Sequence, residues 1–158
     1  MWVNIRGIIE RIHEGQIEIV IQKRDKPGES YSFELPGGRL EEFESILEGL
    51  KREIREETGL EVTHVQGSND YITIVQENII IESIQPFDVY QTIKGKVDSM
   101  GMVFICKATG TLTTKGDGTD EVQWISLCAL EEILKDDSHS FTPVGRACLT
   151  SYINRKGR

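Results

Sequence analysis

GGRLEEFESILEGLKREIREETGL, residues Gly37 to Leu60, changes its period part-way through. After the glycine pair, Phe43, Ile46, Leu47, Leu50 and Ile54 recur at helical spacing, and Gly59 follows as a stop. The pattern predicts one amphipathic helix of about four turns. Positions i, i+3 and i+4 share a helix face, so Glu53, Glu56 and Glu57 converge within about 100° of arc. On an exposed helix such like-charge neighbours cost only a few tenths of a kcal/mol. A solvated acidic face is one reading of the triplet. A divalent cation is the other, because magnesium takes oxygen ligands and keeps waters for substrate phosphates. Arg52 and Arg55 flank the cluster and can hold the carboxylates in fixed rotamers. Gly37 and Gly38 let the backbone turn sharply and approach a ligand.

Outward from this helix the chain reads mostly as strand. VNIRGIIERI and QIEIVIQKR are strands joined by a turn around Gly15. Pro27 and Gly28 mark a surface loop, and YSFELP is a short strand ending in Pro-Gly-Gly. Past the helix, LEVTHVQ, YITIVQ, IIIESI, FDVYQTI, GMVFICKATGTL and EVQWISL all read as β. LCALEEILKD and TPVGRACLTSYIN read as closing helices. One early helix and two late ones around many strands predict an α/β (α+β) sandwich, a mixed sheet with helices on both faces. The 158 residues suit a single domain, 1–158.

The formal charge of −8 argues against nucleic acid as a partner, since a phosphate-backbone footprint needs clustered Lys and Arg. A small phosphorylated substrate is still allowed, because a bound cation inverts the local field. Cys106, Cys128 and Cys148 are far apart and form no CxxC. They read as small hydrophobes in a reducing compartment rather than as a disulfide or zinc framework. His13, His64 and His139 lack ligand spacing and read as structural or surface residues. No apolar run could span a bilayer, and the N-terminal residues lack a signal peptide's apolar core. The expectation is a cytoplasmic protein with no membrane partner.

The spacing of the opening segment resembles the Nudix box, G-x5-E-x7-R-E-U-x-E-E-x-G-U with U a bulky aliphatic residue. Gly38, Glu44, Arg52, Glu53, Ile54, Glu56, Glu57, Gly59 and Leu60 fill every defined position. The preceding ELPGG resembles that family's approach strand. The resemblance implies a Nudix-type α/β/α sandwich. It also implies hydrolysis of the pyrophosphate linkage in a nucleoside diphosphate bonded to a group X, with magnesium or, as the alternative, manganese. By the same resemblance Glu53, Glu56 and Glu57 would be metal ligands, with the Gly37 carbonyl a further candidate. Arg52 would orient the glutamates, and Glu44, Gly38 and Gly59 would brace the loop–helix motif. For the catalytic base, Glu53 is the candidate inside the box. The loop before Trp124 offers Asp117, Asp120 and Glu121, of which Glu121 is favoured.

The box does not select X, which falls to loops around it. Residues 86–101 mix aromatics, amides and hydroxyls. Phe87 or Tyr90 would stack on a base, Gln91 would hydrogen-bond it, and Arg24 and Arg39 are basic candidates at the cleft mouth; an ordinary hairpin with a polar tip is the competing reading. The marker proline of the ADP-ribose type is replaced by Gln76, and the tyrosine of the dinucleoside-polyphosphate type is absent from residues 76–78. The expected partner is a small nucleotide-derived substrate, and a homodimer is admitted. A non-catalytic nucleotide-sensing module on the same fold is the alternative; degenerate box glutamates would favour it, and none is degenerate.

Overall fold

Isoleucine and valine dominate the first two strands, β1 (Trp2–His13) and β2 (Gln16–Arg24), as strands buried on both faces require. They form a hairpin in which Ile12 lies opposite Ile17. The computed structural model describes residues 1–136 and 140–156; His139 lies outside the described residues. Short strands β3 (Phe33–Glu34) and β4 (Gly37–Arg39) lead into helix α1 (Ile46–Thr58). Then come β5 (Glu61–Val65), β6 (Ile72–Gln76), β7 (Ile79–Ser83), β8 (Asp88–Gln91), β9 (Ser99–Thr109) and β10 (Thr119–Ser126). Helices α2 (Leu127–Lys135) and α3 (Pro143–Lys156) close the described chain.

The main sheet runs β10-β2-β1-β9-β5, with β3 on β2, β4 on β1 and β8 on β9. β1 and β9 are parallel, while the other pairs are antiparallel, so the sheet is mixed. Alternation along the strands sends side chains to two cores. Ile5, Ile9 and Val20 meet Leu50 and Ile54 of α1 on one face. Ile8, Ile19 and Ile21 meet Leu130 of α2 and Cys148, Leu149 and Tyr152 of α3 on the other. This is the expected sandwich of helices on both faces of a mixed sheet.

One expectation needs correction. Phe43 is not part of the helix's apolar stripe. It precedes the helix, sits at φ 58° and is 99% exposed. The helix begins one turn later because Ser45 caps it, its hydroxyl accepting from the Glu48 N–H. β6 and β7 form as the expected strands; they pair with each other and stand off the main sheet.

Ile54 is fully buried, and its Cδ1 lies over Gly7 of β1. Ile54→Ala is expected to lower unfolding free energy by about 2–5 kcal/mol through lost transfer energy and the cavity left behind. Urea unfolding followed by far-UV circular dichroism checks it; a loss under 1 kcal/mol, below the ~2–5 range for such truncations, would mean this face of the helix is not the core contact.

Candidate active site

Arg52 is the hub of the box. Its Nε and Nη2 grip both oxygens of Glu44 at 2.7 and 2.9 Å, a bidentate pair. Its Nη1 reaches Glu53 at 2.9 Å and Glu56 at 3.3 Å, and Nη2 also donates to the Arg39 carbonyl at 3.3 Å. One guanidinium therefore fixes three carboxylates and the backbone of the loop before the helix. Glu44 also accepts from the Glu41 N–H at 3.1 Å. The Arg52 fork, more than that N–H, holds the Glu44 carboxyl below its usual range.

Glu57 behaves differently from its neighbours. The helical spacing puts it on the same face as Glu53 and Glu56, but its side chain turns inward and is buried. It accepts the Gly37 N–H at 2.7 Å, tying β4 to α1. Burial, opposed by that N–H, pushes the Glu57 carboxyl up to about 8. Glu34 nearby pushes in the same direction, and Arg6 pulls it back. Burial likewise raises Glu53, against the pull of Arg52. Gly37 has to be glycine here: its φ is 152°, and a Cβ would stand 2.1 Å from the Ile5 carbonyl oxygen. At Gly38 a Cβ would meet the Glu53 carboxylate at 2.6 Å.

The end of α1 is sealed by the loop between β9 and β10. Helix C-termini leave carbonyls without partners. Here Gly59 N–H donates to Arg55 O at 3.0 Å, Asp117 N–H to Glu56 O at 3.3 Å, Thr119 Oγ1 to Glu57 O at 3.3 Å, and Thr113 N–H to Thr58 O at 2.9 Å. That seal brings Asp117 beside the acidic end of the helix. Glu121 goes elsewhere. It sits at φ 47°, where the pairing of β10 slips between Asp120 and Gln123, and it accepts the Tyr31 hydroxyl at 2.8 Å.

A family model described as the NUDIX domain matches residues 4–144. The chain belongs to the NUDIX family. Over 59 residues it is 41% identical to the 8-oxo-dGDP phosphatase NUDT18 of Danio rerio, covering 37% of this chain and 18% of that protein. Over 61 residues it is 33% identical to YtkD of Bacillus subtilis strain 168, provisionally named an 8-oxo-dGTP diphosphatase, covering 39% of each. The chain thus spans less than half the length of the curated relatives it matches. The crystal structure of a MutT NUDIX hydrolase from Burkholderia pseudomallei superposes with a TM-score of 0.64 at 18% identity, over 95% of this chain and 96% of that one, which shows the shared fold.

NUDIX hydrolases generally use divalent metal ions, and the donors here fit one. Glu53, Glu56, Glu57 and the Gly37 carbonyl are hard oxygens, suited to a hard cation. The sulfurs are elsewhere, Cys106 and Cys148 buried and Cys128 exposed. The cradle at Gly37 and Gly38 has no room for a Cβ, and the buried Glu57 carboxyl is raised by desolvation, which a counter-ion would offset. Among the described residues no three His, Cys, Asp or Glu side chains close on one point. Glu53 and Glu56 rest instead on Arg52, and Glu57 on the Gly37 N–H.

The other sequence candidates scatter. Tyr90 packs inward: its hydroxyl accepts from Arg6 Nε at 3.2 Å, and its ring covers Gly101. Phe87 belongs to the core, edge-on to Tyr152 with centroids 6.0 Å apart. Gln91 is exposed at the end of β8. Arg24 is engaged with Glu29 at 2.9 and 3.0 Å, and Arg39 lies 4.4 Å over the Trp2 ring. The residue missed from sequence is Arg6. It lies opposite Gly37 in the β1–β4 register and donates to the Leu35 carbonyl at 2.9 Å. An arginine set between Ile5 and Gly7 in the isoleucine-rich first strand was the available signal.

The raised Glu57 makes stability pH-dependent. Its ordinary value is 4.5 and its folded value about 8. Between these limits the unfolded chain has released the proton and the folded one retains it, so this contribution is full below 4.5 and is lost as pH rises through 8. In metal-free buffer the melting temperature of wild type relative to Glu57→Gln is expected to fall from pH 5 to pH 8.5. A constant difference across that range would mean Glu57 titrates normally.

Proposed function

We propose that this chain hydrolyses the pyrophosphate linkage of a small nucleoside-diphosphate derivative, with magnesium, or manganese in its place, held by Glu53, Glu56, Glu57 and the Gly37 carbonyl. The observation that carries the reading is the box's charge arrangement: three carboxylates held as a set by Arg52 and Gly37, at a helix end covered by an acid-bearing loop. A cation bound there would neutralise charge developing on the pyrophosphate oxygens, which is most of what phosphoryl transfer asks of a protein.

The chain's own groups do the rest. Water attacks one phosphorus, the bridging P–O bond breaks, and the products are a nucleoside monophosphate and phosphorylated X. In this reading Glu53 takes the water's proton, a role supported by burial raising its affinity for one. Arg52 keeps the Glu53 carboxylate aimed. For the distal acid we favour Asp117 over Glu121, because the Asp117 backbone N–H reaches the Glu56 backbone carbonyl at the end of the box helix while the Glu121 carboxylate is bonded to the Tyr31 hydroxyl. Tyr90, Gln91, Arg24 and Arg39 remain substrate-side candidates, with Tyr90 acting through Arg6 rather than as an open stacking surface. The names of the curated relatives support testing 8-oxo-guanine nucleotides first. No helix among the described residues is long and apolar enough to cross a membrane, and three free cysteines suit the reducing cytoplasm.

The test is phosphate or pyrophosphate release across a nucleotide panel with and without magnesium. Glu56→Gln and Glu57→Gln are expected to lower kcat by orders of magnitude with unchanged circular dichroism. Magnesium should also raise the melting temperature of wild type and not of Glu57→Gln, a readout independent of turnover. Full activity of either variant at saturating magnesium would overturn the ligand assignment.

Asp117→Asn is expected to cost ~10²-fold in kcat, in the range of a lost proton-transfer partner. Glu121→Gln should stay within a factor of about two, under 0.5 kcal/mol of barrier. The reverse ranking would return the role to Glu121.

A further inference from the structure

Gln22 of β2 is a buried polar side chain that the fold leaves unmatched. It is fully buried, and among the described residues neither its Oε1 nor its Nε2 has a hydrogen-bond partner. An amide in that state is costly to the fold. The strand does not ask for it: Ile19, Val20 and Ile21, just before it, are fully buried aliphatics. An apolar residue of similar volume would suit the position. A buried polar group kept without a partner calls for a reason outside packing.

Its place supplies one. Side chains alternate along a strand, so Gln22 shares the face of Val20, which packs with Leu50 and Ile54 of α1. Glu57 lies three positions on from Ile54, on the same side of that helix, and is buried with it. Burial is what chiefly pushes the Glu57 carboxyl up, and the Gly37 N–H, the Gln22 side chain and Arg6 oppose that push. The amide is thus near the carboxylate without closing a hydrogen bond to it. Gln22 also stands opposite Glu34 in the β2–β3 register, but Glu34 already meets Arg6 and Arg24, each at 3.5 Å. A carboxylate has about four acceptor sites. Among the described residues the Glu57 carboxylate takes only the Gly37 N–H.

We propose that Gln22 is a positioning residue for Glu57: its amide donates to the Glu57 carboxylate when that carboxylate binds the cation, and so fixes its orientation. The proposal rests on the reading of Glu57 as a metal ligand. Hydrogen bonds at such sites are commonly long until the site is occupied. Removing a partner that orients a ligand costs ~10–100-fold in metal affinity.

The test uses the whole chain and Mn²⁺ as the probe ion, counted by loss of its free-ion electron paramagnetic resonance signal, beside the melting temperature in metal-free buffer. Gln22→Met keeps the length of the side chain and removes both polar atoms. It is expected to melt at or above wild type without metal, because an unmatched amide is gone. It should bind Mn²⁺ roughly tenfold or more weakly. A merely structural role would lower the melting temperature instead. If Gln22→Met does not fold, Gln22→Val, matched to the aliphatics before it in the strand, decides by affinity alone; failure of both to fold would make the amide a requirement of the fold and overturn the proposal. Equal Mn²⁺ affinity in variant and wild type overturns it and leaves the role of Glu57 intact. Weaker binding of Gln22→Met accompanied by a lower metal-free melting temperature also overturns it. A wild type that binds no Mn²⁺ overturns both this proposal and the ligand assignment of Glu57.

Discussion

The hydrogen bond from the Gly37 N–H to the Glu57 carboxylate joins the sheet to the helix that carries the box glutamates. A buried carboxylate is costly without partners, so everything near it is constrained to supply them. Residue 37 has to lack a side chain to come that close to the Ile5 carbonyl. The β1–β4 register then sets Arg6 opposite Gly37, bringing a fixed cation near Glu57 and Glu34. Because Glu57 is committed inward, Glu53 and Glu56 are left for Arg52, whose remaining hydrogen bonds reach Glu44 and the loop. The acidic end of α1 is thus one electrostatic unit rather than three independent carboxylates on a helix.

Much of this was legible in the sequence because it rests on local period and spacing. The apolar stripe of Ile46, Leu47, Leu50 and Ile54, the stop at Gly59 and the paired isoleucine strands are short-range signals, and the sandwich follows from them. Phe43 misled because its spacing fits the stripe while Ser45 starts the helix after it. Helical spacing placed Glu57 beside Glu56 but could not show that its rotamer turns inward, which packing against the sheet decides.

What was illegible depends on contacts between distant residues. Arg6 meets the Tyr90 hydroxyl, 84 positions away, a pairing that no local pattern announces. The Tyr31 hydroxyl bonds the Glu121 carboxylate 90 positions on, and that of Asp120 beside it. Strand propensity found β6 and β7 but gives no sign of which strands join the main sheet, since that depends on register and on Glu82 reaching the start of α1.

The central strand has a further consequence for how the molecule is made. β1 is the first element of the chain, yet its parallel partner is β9, with Trp2 opposite Ser99 and Ile9 opposite Cys106. Its Glu10 is met by the Tyr152 hydroxyl of α3, 142 positions on. During synthesis β1 and β2 can pair early, but one edge of an isoleucine-rich strand stays open until β9 has emerged. Non-local pairing of this kind folds slowly and leaves an edge able to recruit neighbouring chains. The nascent chain is therefore most exposed to aggregation in the interval between completing α1 and releasing β9, a hazard set by the order of the strands rather than by the stability of the finished fold.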